Sequence, residues 1–328
     1  MKIIAKTGNE DIAMVFIAEM DNGKLIEFVE SVQPPIPREK KWVLIVSILY
    51  GCPVGCRFCD AGEYYTGKLS QHEIISQIDY LIKRRFPDRK VWVEKFKIQF
   101  ARMGDPAFNR NVLDVLEKLP VLYNAPGLLP TLSTIAPKGT DRFFERLADI
   151  KEKIYKERFQ LQFSIHTTDR ELRDWLIPVP KWNLEKIAHY GEKFYRKGHR
   201  KITLNFALAE GMPVNPDVLV HHFDPEKFLV KITPVNPTFR AHKNKLSSHI
   251  LPNKEKYEVI DTLRDAGYEV ILSKGDFTEN HIGSNCGQYI SSYLKEKEAL
   301  DDGYTYPLDN VIQDSGTYIC ENKNELIR

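Results

Sequence analysis

The chain has 328 residues, 47 Lys+Arg against 45 Asp+Glu, and a formal net charge of +2. Hydrophobic residues at 42% and aromatics at 11% describe a folded globular chain rather than a disordered one, of a length that suits two domains or one large α/β barrel. No run approaches the roughly 20 apolar residues that span a bilayer, the N-terminus lacks the apolar core of a secretory leader, and a charge near zero argues against broad electrostatic binding of nucleic acid; the expectation is a cytoplasmic protein with no membrane partner.

In chain order, Ile12–Met20 and Lys24–Val32 flank Asp21-Asn22-Gly23, a hairpin signal. Residues 1–42 therefore read as a small N-terminal β element that leads through Pro34-Pro35-Ile36-Pro37 into the main body. Trp42–Leu49 is a short apolar run, as in a buried parallel strand. Ser70-Gln71-His72-Glu73 is a capping box, and behind it Ile74, Ile75, Ile78, Leu81 and Ile82 recur at helical spacing. Further strands are predicted at 96–101, 129–133, 160–165, 201–207, 228–232 and 268–272. Helices are predicted near 110–118, 140–155, 183–197, 215–223 and 254–266. Six βα units and a last strand predict an α/β fold, a partial (β/α)6 barrel over 43–275. Residues 276–328 form a C-terminal extension, and beyond about 290 no strong period is present.

Of the five cysteines, Cys52, Cys56 and Cys59 fall within one loop directly after the first barrel strand. An odd, clustered set is a poor disulfide framework. Three thiolates at spacings of four and three can converge on one metal centre, and soft thiolates select zinc or iron–sulfur. Structural zinc normally takes four protein ligands, and no His or Cys follows within ten residues to complete the set. Three buried cysteines that bind nothing are the plain alternative. A cubane cluster held by three cysteines leaves one iron open for chemistry, and a [4Fe–4S] cluster is the expected occupant.

In a parallel barrel, chemistry gathers at the C-terminal ends of the strands. Gly104-Asp105-Pro106 follows the second strand, Ser133-Thr134 ends the third, Ser164-Ile165-His166 the fourth, and Thr233–Pro237 the sixth. Gly104 permits close backbone approach, and Asp105 can accept hydrogen bonds from an ammonium group. Each has a bland counterpart, from a turn initiator at Asp105 to a hydrogen-bonded core histidine at His166.

The Cys52-x3-Cys56-x2-Cys59 loop, with aromatic Phe58 before the last cysteine, resembles the signature of radical S-adenosylmethionine (SAM) enzymes. Gly104-Asp105-Pro106, Leu132-Ser133-Thr134-Ile135, Ser164-Ile165-His166, Val235-Asn236-Pro237 and Asn285-Cys286-Gly287-Gln288-Tyr289 together resemble the RlmN/Cfr family of RNA methyltransferases over roughly residues 20–290. The resemblance implies a [4Fe–4S] cluster on Cys52, Cys56 and Cys59 that cleaves SAM to a 5′-deoxyadenosyl radical. It implies a SAM pocket of Phe58, Gly104, Asp105, Ser133, Ser164, His166 and Asn236. It makes Cys286 the cysteine that is methylated and presents its methyl group to the radical, and Glu27 a proton acceptor. A flavodoxin- or ferredoxin-like protein would deliver the electron. A thiolate takes a methyl group readily because sulfur is strongly nucleophilic.

Three departures stand out. Ile45 occupies the position of the family's second catalytic cysteine, leaving Cys320 as the only other thiol. The chain begins almost at the hairpin, so the family's N-terminal accessory RNA-binding domain is expected to be missing. Asp105 stands where the family has a glutamate. Basic clusters at Lys83-Arg84-Arg85 with Arg89-Lys90, and at Arg240, Lys243 and Lys245, read either as solvated surface or as phosphate contacts. RNA therefore remains one substrate among others, radical chemistry without methyl transfer is an alternative, and a zinc-stabilised RNA-binding module is the rival from another class.

Overall fold

The structure is a computed structural model, which describes residues 1–285, 288–290, 300, 303–314 and 317–322. Its spine is a run of parallel strands: β4 (Lys41–Val46), then, beyond two short strands β5 (Leu49–Gly51) and β6 (Tyr65–Lys68), β7 (Lys95–Phe100), β8 (Leu128–Thr134), β9 (Gln160–Ser164), β10 (Ile202–Leu208), β11 (Phe228–Pro234) and β12 (Val270–Leu272). They pair in sequence order, β4-β7-β8-β9-β10-β11-β12, every pair parallel. The helices α1 (Gln71–Arg85), α2 (Asn111–Leu122), α3 (Asp141–Ile150), α4 (Arg170–Leu176), α5 (Leu184–Phe194), α6 (Pro216–His222), α7 (Phe239–Lys243) and α8 (Glu258–Asp265) lie in the connections. This is the partial (β/α)6 barrel with a last strand that the sequence predicts.

Alternation places the layers. Along β4, Trp42, Leu44 and Val46 are fully buried, while Lys41, Val43 and Ile45 are only half-buried. Trp42 stacks on Phe96 and packs on Phe86 at the end of α1, so this face meets the helices and the half-buried face lines the lumen. The α1 start is the capping box: Ser70 Oγ accepts from Glu73 N and Glu73 Oε2 accepts from Ser70 N.

The strand predicted over Trp42–Leu49 stops at Val46. The cause is polar: buried Gln77 of α1 accepts from Ser47 N and donates to Ser47 O, and Met103 O takes the amides of Ile48 and Leu49. The chain is diverted there into the cysteine loop.

Residues 1–42 carry the N-terminal strands. They form β1 (Lys2–Asn9), β2 (Ala13–Glu19) and β3 (Leu25–Ser31), an antiparallel meander whose last strand pairs with β4 at Val29–Ile45. Of these the sequence predicts the hairpin and misses β1. The basic run on α1 belongs to this sheet: Arg84 and Arg85 pair with Glu10 and Glu30, while Lys83 and Arg89 pair with Asp79. The C-terminal segment, without evident period in the sequence, contributes α9 (Thr278–Ile282) and a hairpin of β13 (Asp309–Asp314) and β14 (Thr317–Asn322), with β13 pairing on β1. Among the described residues no helix is long and apolar enough to cross a membrane.

Candidate active site

The cysteine loop fills the span between β4 and α1, and its ends are tied together. Asn109, just after β7, donates from one amide nitrogen to Ile48 O and Leu69 O, both at 2.7 Å. Inside the loop Gly55 takes φ +64°, and a Cβ on Gly62 would stand 2.6 Å from Gly55 Cα, so the two strands of the loop touch at glycines. Arg240 of α7 staples it, donating to Gly62 O at 2.9 Å and Gly55 O at 2.7 Å. That is the structural use of a residue the sequence left open as a phosphate contact. Asp60, fully buried next to Cys59, accepts the amides of Phe239 and Arg240 at the start of α7.

Cys52, Cys56 and Cys59 are half-buried in this loop. Burial pushes the Cys52 thiol up to about 11 and raises Cys56 further, the charges of Cys52 and Asp105 adding to burial at Cys56 and Arg240 opposing it. Among the described residues no three His, Cys, Asp or Glu are gathered tightly enough to chelate one ion. A [4Fe–4S] cluster asks a single thiolate of each of three irons. The donor set suits it: three cysteines on one stapled, glycine-tightened loop at the C-terminal end of the first barrel strand.

The strand ends around the loop are more tightly built than the sequence suggests. Gly104 adopts φ +99°, and a Cβ there would lie 2.4 Å from the Leu49 side chain, so only glycine fits. Asp105 is buried and already committed: Oδ1 accepts from Ala107 N at 2.9 Å and Thr134 Oγ1 at 2.8 Å, and Oδ2 from Ile135 N at 2.7 Å. Burial nonetheless lifts its carboxyl to about 6. Of roughly four acceptor directions on a carboxylate, one stays open to a ligand. Its main work is to lock the turn after β7 onto the end of β8. Ser133 and Ser164 stand half-buried on the lumen face at the ends of β8 and β9, Ser164 level with Asn205 of β10. Asn236 lines a crevice after β11 with Thr238, Glu279, Gly283, Asn285 and Tyr304.

His166 supports the cysteine loop. It takes φ +67°, its Nδ1 accepts from Ala207 N at 2.9 Å, and its ring meets Phe58 edge-on at 4.9 Å. That acceptor role assigns the ring proton to Nε2. Burial, then Arg173, drops its pKa to about 3, so it is neutral. Phe58, itself buried, has its carbonyl bound by Thr238 Oγ1 at 2.7 Å.

Glu27 departs most from expectation. It is completely buried on β3, 2.7 Å from Arg102 in an ion pair, and its Oε2 accepts from Ile290 N at 3.1 Å. Burial raises its carboxyl, while Arg102 and the amides of Ile290 and Tyr289 hold it down. So engaged, it anchors the chain at Ile290 to the turn after β7. Arg102 was missed from the sequence. It too is buried, and it donates to the carbonyls of Gly283 (2.8 Å), Ser284 (2.7 Å) and Asn285 (2.6 Å) at the end of α9. An unmatched glutamate inside the apolar strand Leu25–Ser31 was the available signal, since such a charge demands a partner. Cys286 and Gly287 lie outside the described residues. On their other side, Gln288 N donates to Tyr304 Oη at 3.0 Å, and Tyr304 Oη donates to Asp60 Oδ2 at 2.7 Å. The chain flanking Cys286 is thus tied to the turn after β7 by Arg102 and to the cysteine loop by Tyr304. Of Cys320 the structure gives backbone pairing alone, with Val311.

Fold and site define a partial parallel barrel with a three-cysteine loop at the C-terminal end of its first strand. No family model matches the chain. It is 25% identical over 293 residues to the probable dual-specificity RNA methyltransferase RlmN of Petrotoga mobilis, covering 86% of this chain and 76% of that protein. It is 27% identical over 279 residues to the ribosomal RNA large subunit methyltransferase N of Nitrosopumilus maritimus, covering 83% and 75%. In fold it is similar to a radical SAM methyltransferase from Sphaerobacter thermophilus, with TM-score 0.63, 20% identity, and coverage of 88% and 80%. Over most of its length the chain is thus similar to RlmN-type RNA methyltransferases, and it is an enzyme.

Two outcomes follow from the geometry. Arg102→Met strands Glu27 as a buried charge without its partner. It should cost about 3–5 kcal/mol in urea unfolding at pH 7. His166 is depressed in the fold relative to the unfolded chain, so the stability it allows is present above pH 6.5 and falls as pH drops toward 3. Between pH 6.5 and 5 the wild type should lose about 2 kcal/mol more than His166→Gln, measured by denaturant titration at each pH.

Proposed function

We propose that the chain is a SAM-dependent methyltransferase that works through a methylated Cys286, on RNA or on another acceptor. The observation that carries this reading is the double tether of the chain around Cys286. Arg102 and Glu27 hold it to the turn carrying Gly104 and Asp105, and Tyr304 holds it to the cysteine loop. The described chain on either side, at Gly283–Asn285 and at Gln288–Ile290, is thus held to the two parts of the site that must cooperate.

Bound to the thiolates of Cys52, Cys56 and Cys59, a [4Fe–4S] cluster would supply the electron, received from a flavodoxin- or ferredoxin-like donor, that cleaves SAM. The residues of the chain then have distinct tasks. Gly104 clears space for close approach, and Asp105 keeps one acceptor direction for an ammonium group. Ser133, Ser164 and Asn236 offer hydrogen bonds around the rim. His166 fixes Phe58 and thereby the loop. The Cys286 sulfur attacks the methyl carbon of one SAM, forming an S–CH3 bond and releasing S-adenosylhomocysteine. A second SAM yields methionine and 5′-deoxyadenosine once a hydrogen atom has left that methyl group. Relatives of this chain are named as RNA methyltransferases, which supports RNA as acceptor.

One observation favours a second reading, radical chemistry without methyl transfer. Ile45, where a resolving cysteine would be required, is a half-buried aliphatic on the lumen face of β4, paired with Val29 and Gln99. It cannot open a covalent thioether adduct.

Anaerobically reconstituted protein with SAM and a reductant separates the two. Methyl transfer predicts both S-adenosylhomocysteine and 5′-deoxyadenosine, with a 14-dalton gain on the Cys286 peptide, about one methyl in place of hydrogen. Cys286→Ala should abolish S-adenosylhomocysteine. Loss of neither product in that variant overturns the methyl-transfer reading.

A further inference from the structure

The cysteine loop sends one side chain to the surface. Phe58 is buried against His166, while its neighbour Arg57 is half-buried and runs out over α4. Arg57 Nε donates to Trp175 O at 3.3 Å, and its guanidinium lies 5.4 Å from the centre of the Trp175 ring. Its backbone is held from two elements: Arg57 N donates to Leu176 O at 3.0 Å, and Arg57 O accepts from Asn244 Nδ2 at 2.8 Å. The cysteine loop, the end of α4 and the turn after α7 thus meet at Arg57.

This junction carries charge and an aromatic ring in the open. Trp175 is 40% exposed, although it is large and apolar. Lys243 and Lys245 are exposed on either side of Asn244, and they make no ion pair among the described residues. Arg240, from the same basic run, is spent inside the loop on Gly55 and Gly62. Of the acids on α4, Asp174 pairs with Lys181, and exposed Glu171, one turn before Trp175, stands next to exposed Arg170. The surface is therefore positive around an exposed indole.

Position fixes what such a surface can serve. The Arg57 Cα is about 3.8 Å from that of Cys56, so whatever covers Arg57 stands beside the cluster site. Electron transfer weakens steeply with distance, and the cluster needs an electron from outside. The described contacts of the chain around Cys286 run to β3, the turn after β7 and Asp60, whereas Arg57 meets α4 and the turn after α7. That separation favours an electron donor over a methyl acceptor such as RNA at this surface. Redox encounters use small interfaces, in which charge steers the approach and Trp and Arg are common anchors. An exposed indole packs well on a flat aromatic edge, which a flavin offers and an inorganic cluster under its own cysteine loop does not.

We propose that Arg57, Trp175, Lys243 and Lys245 form the docking surface for an acidic, flavodoxin-like protein, with the flavin edge laid over Trp175. Lys243 and Lys245 steer the approach, and Trp175 with Arg57 fixes the contact. One electron crosses, from the reduced flavin, which is oxidised, to the cluster, which is reduced; no atom is transferred. This surface rests on the reading of Cys52, Cys56 and Cys59 as cluster ligands and names the place at which their protein partner binds.

Binding and turnover together test it. Fluorophore-labelled oxidised flavodoxin is titrated with the anaerobically reconstituted full chain and followed by anisotropy, without SAM or reductant. Lys243→Glu combined with Lys245→Glu should weaken binding about tenfold, and Trp175→Ala about fivefold. The paired Lys→Gln variant, which removes the charges without reversing them, should fall between wild type and the Glu variant. Raising ionic strength from about 0.01 M to about 0.15 M shortens the screening length from about 30 Å to about 8 Å, so it should weaken the wild type several-fold and the Glu variant little. In turnover, 5′-deoxyadenosine formed with subsaturating reduced flavodoxin should drop about tenfold in the Glu variant, while the rate with excess dithionite stays within about twofold of wild type. Equal flavodoxin binding in wild type and variants, or no flavodoxin-driven product from a wild type that dithionite activates, overturns the docking surface and leaves the cluster reading standing. Loss of the dithionite-driven rate in both the Glu and Gln variants, or weakened binding of a short RNA hairpin with flavodoxin binding unchanged, assigns the surface to substrate and likewise overturns it. A wild type that forms no 5′-deoxyadenosine with dithionite removes the cluster reading, and the docking surface with it.

Discussion

The Glu27–Arg102 pair is the interaction on which the rest of the site depends. It joins three parts of the chain that are distant in sequence: the N-terminal meander, the turn after the second barrel strand, and the segment that enters and leaves Cys286. Two buried charges are expensive unless they are paired and hydrogen-bonded. Here the guanidinium spreads over three carbonyls and faces one carboxylate, and that carboxylate also takes the Ile290 amide, while Arg102 Nε is left without a partner among the described residues. The arrangement therefore specifies one position for the flanking chain rather than merely stabilising it.

The cysteine loop is held by a second network of the same kind. Asn109 closes its ends, Arg240 its middle, and His166 and Thr238 fix Phe58. The two networks meet at Tyr304, whose hydroxyl accepts from Gln288 and donates to Asp60. A loop presenting three thiols needs this rigidity, because without it cysteines that must converge would be free to pair with one another or turn inward.

Much of this was legible in the sequence because it is local. The cysteine spacing, the capping box at Ser70 and the period-two runs of Phe96–Phe100 and Gln160–Ser164 each carry their own signal over a few residues. Strand-end placement of Gly104, Ser133, Ser164 and Asn236 then follows from parallel topology. What was not legible is long-range. Nothing in the neighbourhood of Arg102 announces that its partners lie at 27 and 283–285. Glu27 carries no local sign of Arg102, and Asp105 none of the bonds it accepts from Thr134, Ile135 and Ala107. Strand β1 has no turn signal of its own and is recruited by β2. The basic residues mislead for the same reason: Arg84 and Arg85 are spent on Glu10 and Glu30, and Arg240 on the carbonyls of Gly55 and Gly62.

The central claim is that Cys52, Cys56 and Cys59 hold a cluster with one iron open to SAM. Electron paramagnetic resonance of the anaerobically reconstituted, dithionite-reduced protein tests it directly. The account predicts a [4Fe–4S]+ spectrum that shifts on addition of SAM and is lost in Cys56→Ala. A protein that binds zinc and no iron, or a cluster spectrum indifferent to SAM, would contradict it.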